Sequence, residues 1–528
     1  MDVTIVTDSN TYNVTIDRMT RLETILEGQG IPCPFVCNGE GTCGKCRVKF
    51  LTNPPKPTVA ERKLLGRRLI DRGYRLACEV VIIKDCKIYV PDESKVQSVQ
   101  VFDTEAIGER ARIRREKVVE ARAELIESGE IESNVRYGIA IDLGTTSIAI
   151  ELFDCMDGDV LYATVTENHQ SMYGVDVESR IDSSIRGRQY ELSDIVARDI
   201  LSCLKEISEQ LPEDVSIKDL PIVLVGNTAM IHMLCNMSCQ GLSEPPYKPE
   251  DLSSQEIEID DGVFVTTFPA ISAFIGGDIV SAIYALDIDR KDEINVLIDL
   301  GTNGEMVVNK RGELLASNIA MGPAFEGGNI SCGCASVSGA IRSVDITNGF
   351  CKVTTIDNAY ALGVCGSGVI EAVYEFFKNG IIDEHGTFSS EYALGYELCQ
   401  LNKKQSVVFL QDDVRKMQLA KASIRASIDV LLDEANISYG EIDNIYLSGG
   451  FAYRTAVDKL IGIGALPKAW KNRVIPVGNA ALEGARQFVM ENDMSRLERI
   501  VSDTKVIDIR SNESYQDMYL NNVLFEEK

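Results

Sequence analysis

Positive charge is in short supply in this chain: 53 Lys and Arg stand against 80 Asp and Glu over 528 residues, a net charge of −27. A polyanion repels nucleic acid and anionic membrane surfaces, so neither is expected as a partner. Long apolar runs are missing too. The uncharged stretch Leu220 to Ser243 is interrupted by Asn227, His232, Asn236, Gln240 and two glycines, and it reads as a strand, a turn and a helix start rather than a membrane span. The opening residues, MDVTIVTDSN, carry acids and no apolar run behind a basic start; no secretory leader is expected, and the protein is assigned to the cytoplasm. Histidine is nearly absent. His169, His232 and His385 are too dispersed for a histidine-based metal centre, and His232 reads as a core residue of an apolar helix. The one tryptophan, Trp470 in PKAWKNR, is expected near the surface as a docking aromatic.

Hydrophobic residues, by contrast, make up 45% of the chain, enough for three or more folded units at roughly 100 to 200 residues each. Residues 1–100 hold 15 basic and 12 acidic side chains (+3), which leaves −30 for the remainder, so the first hundred residues read as a separate module. Fifteen cysteines are present, an odd number clustered in one place only, which in a reducing compartment points to metal rather than disulfides.

That cluster is Cys33, Cys37, Cys43 and Cys46 in CPFVCNGEGTCGKC, followed by Cys78 and Cys86. Three thiolates on a glycine-rich loop plus one distant thiolate suit a [2Fe-2S] centre, because Gly39, Gly41 and Gly44 let backbone N–H groups approach the inorganic sulfides. Cys37, Cys43, Cys46 and Cys78 are assigned as ligands: the spacing C-x5-C-x2-C and a 31-residue gap is one residue longer than the plant-type pattern. Zinc is the rival for four thiolates, although only Cys43 and Cys46 form the short knuckle it favours. Cys33 and Cys86 offer alternative registers; otherwise Cys86 is a small buried residue of a strand. A hairpin in VTIVTDSNTYNVTI, a helix over Thr20–Gln29 and strands in CRVKF and CEVVIIKDCKIYV complete an order that resembles the β-grasp ferredoxins. The basic run Arg62, Lys63, Arg67, Arg68, Arg72 and Arg75 is either a docking patch or a solvated face. Residues 104–128, rich in Ala, Glu and Arg, are expected to form a helical spacer that leaves the module tethered rather than fused.

From Tyr137 an apolar strand ends in Asp142, turns through Gly144, Thr145 and Thr146, and returns as a second apolar strand; the device recurs at Asp299 with Gly301, Thr302 and Asn303. Such a hairpin exposes N–H groups and hydroxyls to phosphate and places its Asp to order Mg²⁺ waters. A third element, NIYLSGGFA, ends a strand in Ser448, Gly449 and Gly450 and suits a nucleoside. Gly226 with Asn227, Gly276 and Gly277 with Asp278, Gly327 with Gly328, and Gly478 with Asn479 mark further turns that together line a cleft. The set resembles the actin, sugar-kinase and Hsp70 ATPase superfamily. Neither a P-loop nor a dinucleotide fingerprint is present.

The tandem order, CNGEGTCGKC with Cys78, then GIAIDLGTTSIAI, NHQSMYGVDVESRI, VGNTAMIHM, FIGGDIVSAI, VLIDLGTNGEM, AFEGGNISCG, GVCGSGVIE, IYLSGGFA and IPVGNAALEGA, resembles the ATP-dependent reductive activators of corrinoid proteins. The resemblance implies a multidomain α/β and α+β chain: a [2Fe-2S] domain over residues 1–96, a helical linker over 97–134, ATPase halves over 135–290 and 291–500, and a C-terminal tail over 501–528. It implies ATP and Mg²⁺ as further cofactors, a low-potential electron donor, a corrinoid protein of a methyltransferase system as partner, and one-electron reduction of its cobalt from Co(II) to Co(I). A homodimer rests on the resemblance alone. Asp142 and Asp299 are expected at the catalytic centre, with Glu305 either polarising water or lying on a strand surface. Asp176, Glu178 and Arg180 are read as serving nucleotide response or partner contact, or as an internal ion pair. Cys332 and Cys334 are read as local packing, and Cys365 as a small residue close to backbone. The alternatives are an activator of another low-potential enzyme such as a 2-hydroxyacyl-CoA dehydratase, a small-molecule kinase, and a nucleotide-switched redox sensor.

Overall fold

The computed structural model describes residues 1–7, 11–16, 18–29, 31, 47–65, 70, 73–90, 117–120, 122–123, 125–126, 135–174, 176–301, 304–334, 336–402, 405–449 and 456–526. Cys33, Cys37, Cys43 and Cys46 lie outside these residues, as do Thr302, Asn303 and Gly450.

The N-terminal module is a five-stranded mixed sheet. Thr11–Thr15 pairs antiparallel with Asp2–Val6, which runs parallel to Cys86–Tyr89; Arg47–Phe50 and Tyr74–Leu76 complete the order. Alternation in Asp2–Val6 turns Val3 and Ile5 inward, where they meet Leu22 and Leu26 of the Leu22–Gly28 helix together with Val48 and Ile88. The expected single strand CEVVIIKDCKIYV is broken. Ala77–Glu79 form a turn, Val81–Ile82 leave to pair with Thr20–Arg21, and only Cys86–Tyr89 rejoin the main sheet. Asp85 makes the break, since its carboxylate accepts from the Asp2 N–H at 2.9 Å and its carbonyl from Asn53. The basic run is not a uniform solvated face: Arg75 is buried and donates to the carbonyls of Pro55, Ile70 and Tyr74.

Two six-stranded sheets follow that share a five-strand order and differ in the sixth strand. The first runs Val160–Glu167, Ser147–Asp154, Tyr137–Leu143, Ile222–Gly226, Val263–Thr267, Glu256–Asp260; the second runs Glu313–Ile319, Gly304–Lys310, Ile294–Leu300, Asn444–Ser448, Val474–Gly478, with Thr504–Val506 added beside Glu313–Ile319. Read along the chain, each lays down three antiparallel strands and then returns a parallel strand beside the first. Parallel return demands a crossover, and the carboxyl ends of the first and fourth strands therefore open on one crevice.

Two helices bind the halves together. Gly277–Ala285 and Ala480–Glu491 share a core with Ala140, Phe153 and Val225 of the first sheet and Leu297, Val307 and Tyr446 of the second. Residues 480–500, expected in the second half, thus build the layer between the sheets. The spacer is docked where it is described: Val118 enters that same core, and buried Arg122 donates to the carbonyls of Met490 and Val135, each at 2.9 Å. Residues 501–528 are no free tail. Thr504–Val506 extends the second sheet, and Phe525 is fully buried beneath Lys421. Trp470 is no docking aromatic either, being fully buried edge-to-face on Tyr439.

Candidate nucleotide cleft

Asp142 ends one apolar strand and Asp299 the corresponding strand of the second half. In the first hairpin Asp142 faces Ala149 across the ladder; in the second Asp299 faces Glu305, so a carboxylate replaces a methyl group at the matching position. Asp278 joins them from the first turn of the Gly277–Ala285 helix, its Oδ1 accepting from the Ile279 N–H at 2.8 Å. The four acids act on one another. Burial pushes Asp142 up to about 6, with Asp299 adding to the rise and a hydrogen bond from Asn479 opposing it. Burial also raises Asp278, with Asp142 and Asp299 contributing, and Glu305, with Asp278 and Asp299 contributing. Asp299 is raised by burial against a 2.6 Å hydrogen bond from Ser448 Oγ. Among the described residues no Lys, Arg or His pairs with any of the four, and no three acidic, Cys or His side chains form a direct metal cage. Four converging carboxylates without a cation fit Mg²⁺ that keeps much of its water shell.

The walls are bare backbone. A Cβ at Gly276 would meet Asn227 Cα at 2.5 Å and Gly226 O at 2.7 Å, so these two turns touch. Gly449 has φ +114 and a Cβ there would overlap the Leu300 carbonyl, which only glycine avoids. Gly327 (φ +86), followed by Gly328, turns toward Val364, and the Gly366–Lys378 helix begins at Cys365, whose Sγ lies 3.3 Å from the Ile341 carbonyl. Such a cradle, closed to side chains, fits a nucleotide.

Of the expected site residues, the structure brings together Asp142, Asp278, Asp299, Glu305, Gly226, Asn227, Gly276, Gly277, Ser448 and Gly449. Thr145 is buried, with its Oγ1 accepting from Asn227 at 3.2 Å, whereas Thr146 is exposed. Among the described residues, the ion-pair alternative for GVDVESRI is not formed. Asp176 caps its helix through Ser179, Glu178 is exposed, and Arg180 turns inward. His232 is a core residue as expected, Nδ1 lying 2.8 Å from the Thr228 carbonyl. Cys332 is a half-buried thiol that desolvation pushes up to about 12. One contributor escaped the sequence reading, Asn168, while Asn479, read only as part of a turn, also contributes its side chain. Asn479 Oδ1 caps Leu482 N while its Nδ2 donates to Asp142; its signal was the Gly-Asn pair before a helix, repeated from Gly226-Asn227. Asn168 is fully buried and reaches the Gly144 carbonyl.

In the N-terminal module Cys78 is the one assigned ligand within the described residues. It is buried in the Ala77–Glu79 turn, at the end of the strand beside Arg47–Phe50, which begins one residue after Cys46. A buried turn cysteine adjoining the end of the cysteine loop fits a distant fourth ligand.

Comparison with known proteins agrees with both modules. Residues 4–82 match the 2Fe-2S iron-sulfur cluster binding domain, residues 137–291 the RACo middle region, and residues 293–528 the C-terminal domain of RACo, the ASKHA domain. The corrinoid activation enzyme RamQ of Eubacterium limosum is 27% identical over 94% of either chain. A [Co(II) methylated amine-specific corrinoid protein] reductase of Methanosarcina barkeri is 24% identical, over 73% of this chain and 76% of its own. A solved reductive activator for corrinoid, iron-sulfur protein superposes with a TM-score of 0.68 at 24% identity, covering 99% of this chain and 98% of its own. With a 2Fe-2S domain at its start and matches to one family's two regions over nearly all that follows residue 136, the chain belongs to the RACo family of reductive activators of corrinoid proteins.

Proposed function

We propose that the protein returns a corrinoid protein of a methyltransferase system to its active state in the cytoplasm, by ATP-dependent one-electron reduction of Co(II) to Co(I). The observation that carries this reading is the union in one chain of a 2Fe-2S domain and a two-halved cleft where four carboxylates converge without a cation. The names of the two relatives, a corrinoid activation enzyme and a Co(II) corrinoid protein reductase, support the same partner. Cytoplasmic placement is supported by core thiols such as Cys155 and Cys235, which burial keeps protonated, and by the lack, among the described residues, of a helix long and apolar enough to cross a membrane.

The cluster, held by Cys37, Cys43, Cys46 and Cys78, supplies a one-electron couple; plant-type centres lie near about −400 mV. Each further 100 mV uphill costs about 2.3 kcal/mol per electron, so reduction to Co(I) needs a second source of free energy. The cleft supplies it. Asp142 and Asp299 would hydrogen-bond waters of a bound Mg²⁺, and Gly144, Thr145, Thr146, Gly301, Thr302 and Asn303 would hold phosphate oxygens. Ser448, Gly449 and Gly450 would flank the nucleoside, and Gly327 and Gly328 would add to the cradle. Glu305, with its raised proton affinity, takes the proton of the attacking water. Because the helices Gly277–Ala285 and Ala480–Glu491 lie between the two sheets, gain and loss of the γ-phosphate would change the angle between the halves.

The test mixes the cluster-loaded protein, a low-potential reductant and a Co(II) corrinoid protein, and follows the Co(I) absorption band with and without Mg-ATP. The band is expected only with ATP and an intact cluster. Asp142→Asn should keep a reducible cluster and lose ATP-dependent Co(I), whereas Cys43→Ala should retain nucleotide binding and lose reduction. Parental Co(I) formation in Asp142→Asn would uncouple the cleft from the chemistry, and phosphorylation of a sugar or carboxylic acid would make the protein a kinase.

A further inference from the structure

Arg180 is 1% exposed, and among the described residues no carboxylate oxygen lies within salt-bridge distance of its guanidinium. Its partners are neutral: Nε donates to the Gly174 carbonyl at 2.8 Å, and Nη1 reaches Gln170 Oε1 at 3.4 Å and Met230 Sδ at 3.5 Å. Asp176 acts on it only from a distance, its own carboxylate being engaged by Ser179, and burial draws the guanidinium down to about 10, still charged at neutral pH. A desolvated charge without a counter-charge is expensive, and a fold retains one where something else compensates.

The partners of Arg180 lead to the first phosphate turn by two routes. Gln170, fully buried, shares its Oε1 with Asn168 Nδ2 (3.3 Å), and Asn168 donates through Nδ2 to the Gly144 carbonyl (2.9 Å) and through its backbone to the Thr146 carbonyl (3.0 Å). Met230 gives its N–H to Asn227 Oδ1 (3.0 Å), and Asn227 Nδ2 holds Thr145 Oγ1. Every residue of the turn is therefore held from behind, and both brackets meet at one guanidinium. With the Gly144 carbonyl bound to Asn168, the Thr145 N–H, trans across the same planar peptide, points the other way.

We propose that Asn168, Gln170 and Arg180 are positioning residues for the first phosphate turn, and that Arg180 is a fixed positive charge behind it that favours the polyphosphate of a nucleoside di- or triphosphate. The inference rests on the reading of the cleft as a nucleotide site. It also gives the cleft an electrostatic balance: four carboxylates on one side call for Mg²⁺, and one buried cation behind the turn attracts the phosphates that Mg²⁺ does not neutralise. The loop is preorganised by neutral hydrogen bonds, so the charge is left for the ligand.

The discriminating variant is Gln170→Glu, which places a carboxylate where Gln170 Oε1 now meets Nη1. A purely structural role for Arg180 leaves ligand affinity alone; stability falls in either case, because the change also sets a carboxylate oxygen against the Leu192 carbonyl to which Gln170 Nε2 now donates at 2.9 Å. The proposal requires that calorimetric titration of the full-length, cluster-loaded, folded variant with Mg-ADP shows binding weakened about tenfold, ~1.4 kcal/mol. Arg180→Met should weaken Mg-ADP further and Arg180→Lys should recover part of the loss; if Arg180→Met does not fold, Gln170→Glu carries the test. Parental Mg-ADP affinity in folded Gln170→Glu overturns the bracket while the nucleotide reading stands. A parent chain that binds no Mg-ADP overturns that reading, and this proposal with it.

Discussion

Asn479 Nδ2 donates to Asp142 Oδ2 across 2.6 Å, joining residues 337 positions apart. The same side chain caps the Ala480–Glu491 helix through its Oδ1, so one residue fixes a carboxylate of the candidate cleft and begins the helix between the two sheets. Asn479→Ala removes both contacts. Loss of the cap alone should destabilise the protein by about 1 kcal/mol, and release of Asp142 should lower ATP hydrolysis roughly tenfold or more. Denaturant unfolding and phosphate release measure the two effects separately; an unchanged hydrolysis rate would show that Asp142 needs no such partner.

The carboxylates give a pH dependence whose sign follows from their shifts. Burial raises Asp142 to about 6, and Asp278, Asp299 and Glu305 are raised with it. Unfolded, these acids ionise near about 4. Between that value and their folded ones the native chain binds more protons than the unfolded chain, so this set's contribution to stability is greatest in acid and falls as pH rises, fully lost above the folded values. Asp142→Asn isolates one member: in EDTA, the stability of the parent relative to the variant should decline between about pH 4 and 6. Mg²⁺ favours the ionised forms, so Mg-ADP should bind more tightly as pH rises through the same window. A parent that gains stability over the variant with rising pH would contradict the shared burial of these acids.

Both hairpins and the strand-glycine-helix turns were legible in the sequence because each is local: an apolar run, an Asp, a glycine turn and a second apolar run lie within twenty residues. Their duplication implied two similar halves, and the two sheets share a five-strand order. Contacts set by long-range packing were not legible. No local signal says that the Ala480 helix returns to a sheet laid down more than three hundred residues earlier, or that Thr504–Val506, three residues in a polar stretch, pairs with Leu314–Ala316. Trp470 was read as exposed because PKAWKNR is polar, yet a short turn points the indole alone inward. Arg180 was read from its acidic neighbours, but a capping box already occupies Asp176.

The helix pair between the sheets predicts an intolerant glycine. At Gly484 an added Cβ would overlap the carbonyl oxygen of Ser281 on the Gly277–Ala285 helix, and the Ser281 hydroxyl donates to the Ala481 carbonyl at 2.6 Å, so the two backbones are already in contact. Gly484→Ala gains about 1 kcal/mol of helix propensity but forces apart a backbone contact, which costs about 1–3 kcal/mol or more. The melting temperature should fall. Nucleotide affinity should fall as well, since Asp278 and Asn479 stand at the cleft ends of these two helices. A variant as stable as the parent would show that the helices can separate freely.

The two cysteines within the described part of the N-terminal module should separate cleanly. Cys86 lies in the Cys86–Tyr89 strand opposite Val3, its thiol pushed up by burial first and by Asp85 second, so it stays protonated and serves as a small apolar side chain. Cys78 is buried in the turn after Tyr74–Leu76, at the edge of the module's core, where a distant thiolate would complete the set on the glycine-rich loop. Cys86→Ala should keep two irons and two sulfides per chain and a rhombic EPR signal on reduction, while losing some stability from the small cavity. Cys78→Ala should lose the signal and most of the iron yet still bind Mg-ADP, because the cleft is built entirely beyond residue 136. If Cys86→Ala loses the cluster and Cys78→Ala retains it, the fourth ligand is Cys86, and the break in that strand exists to present it.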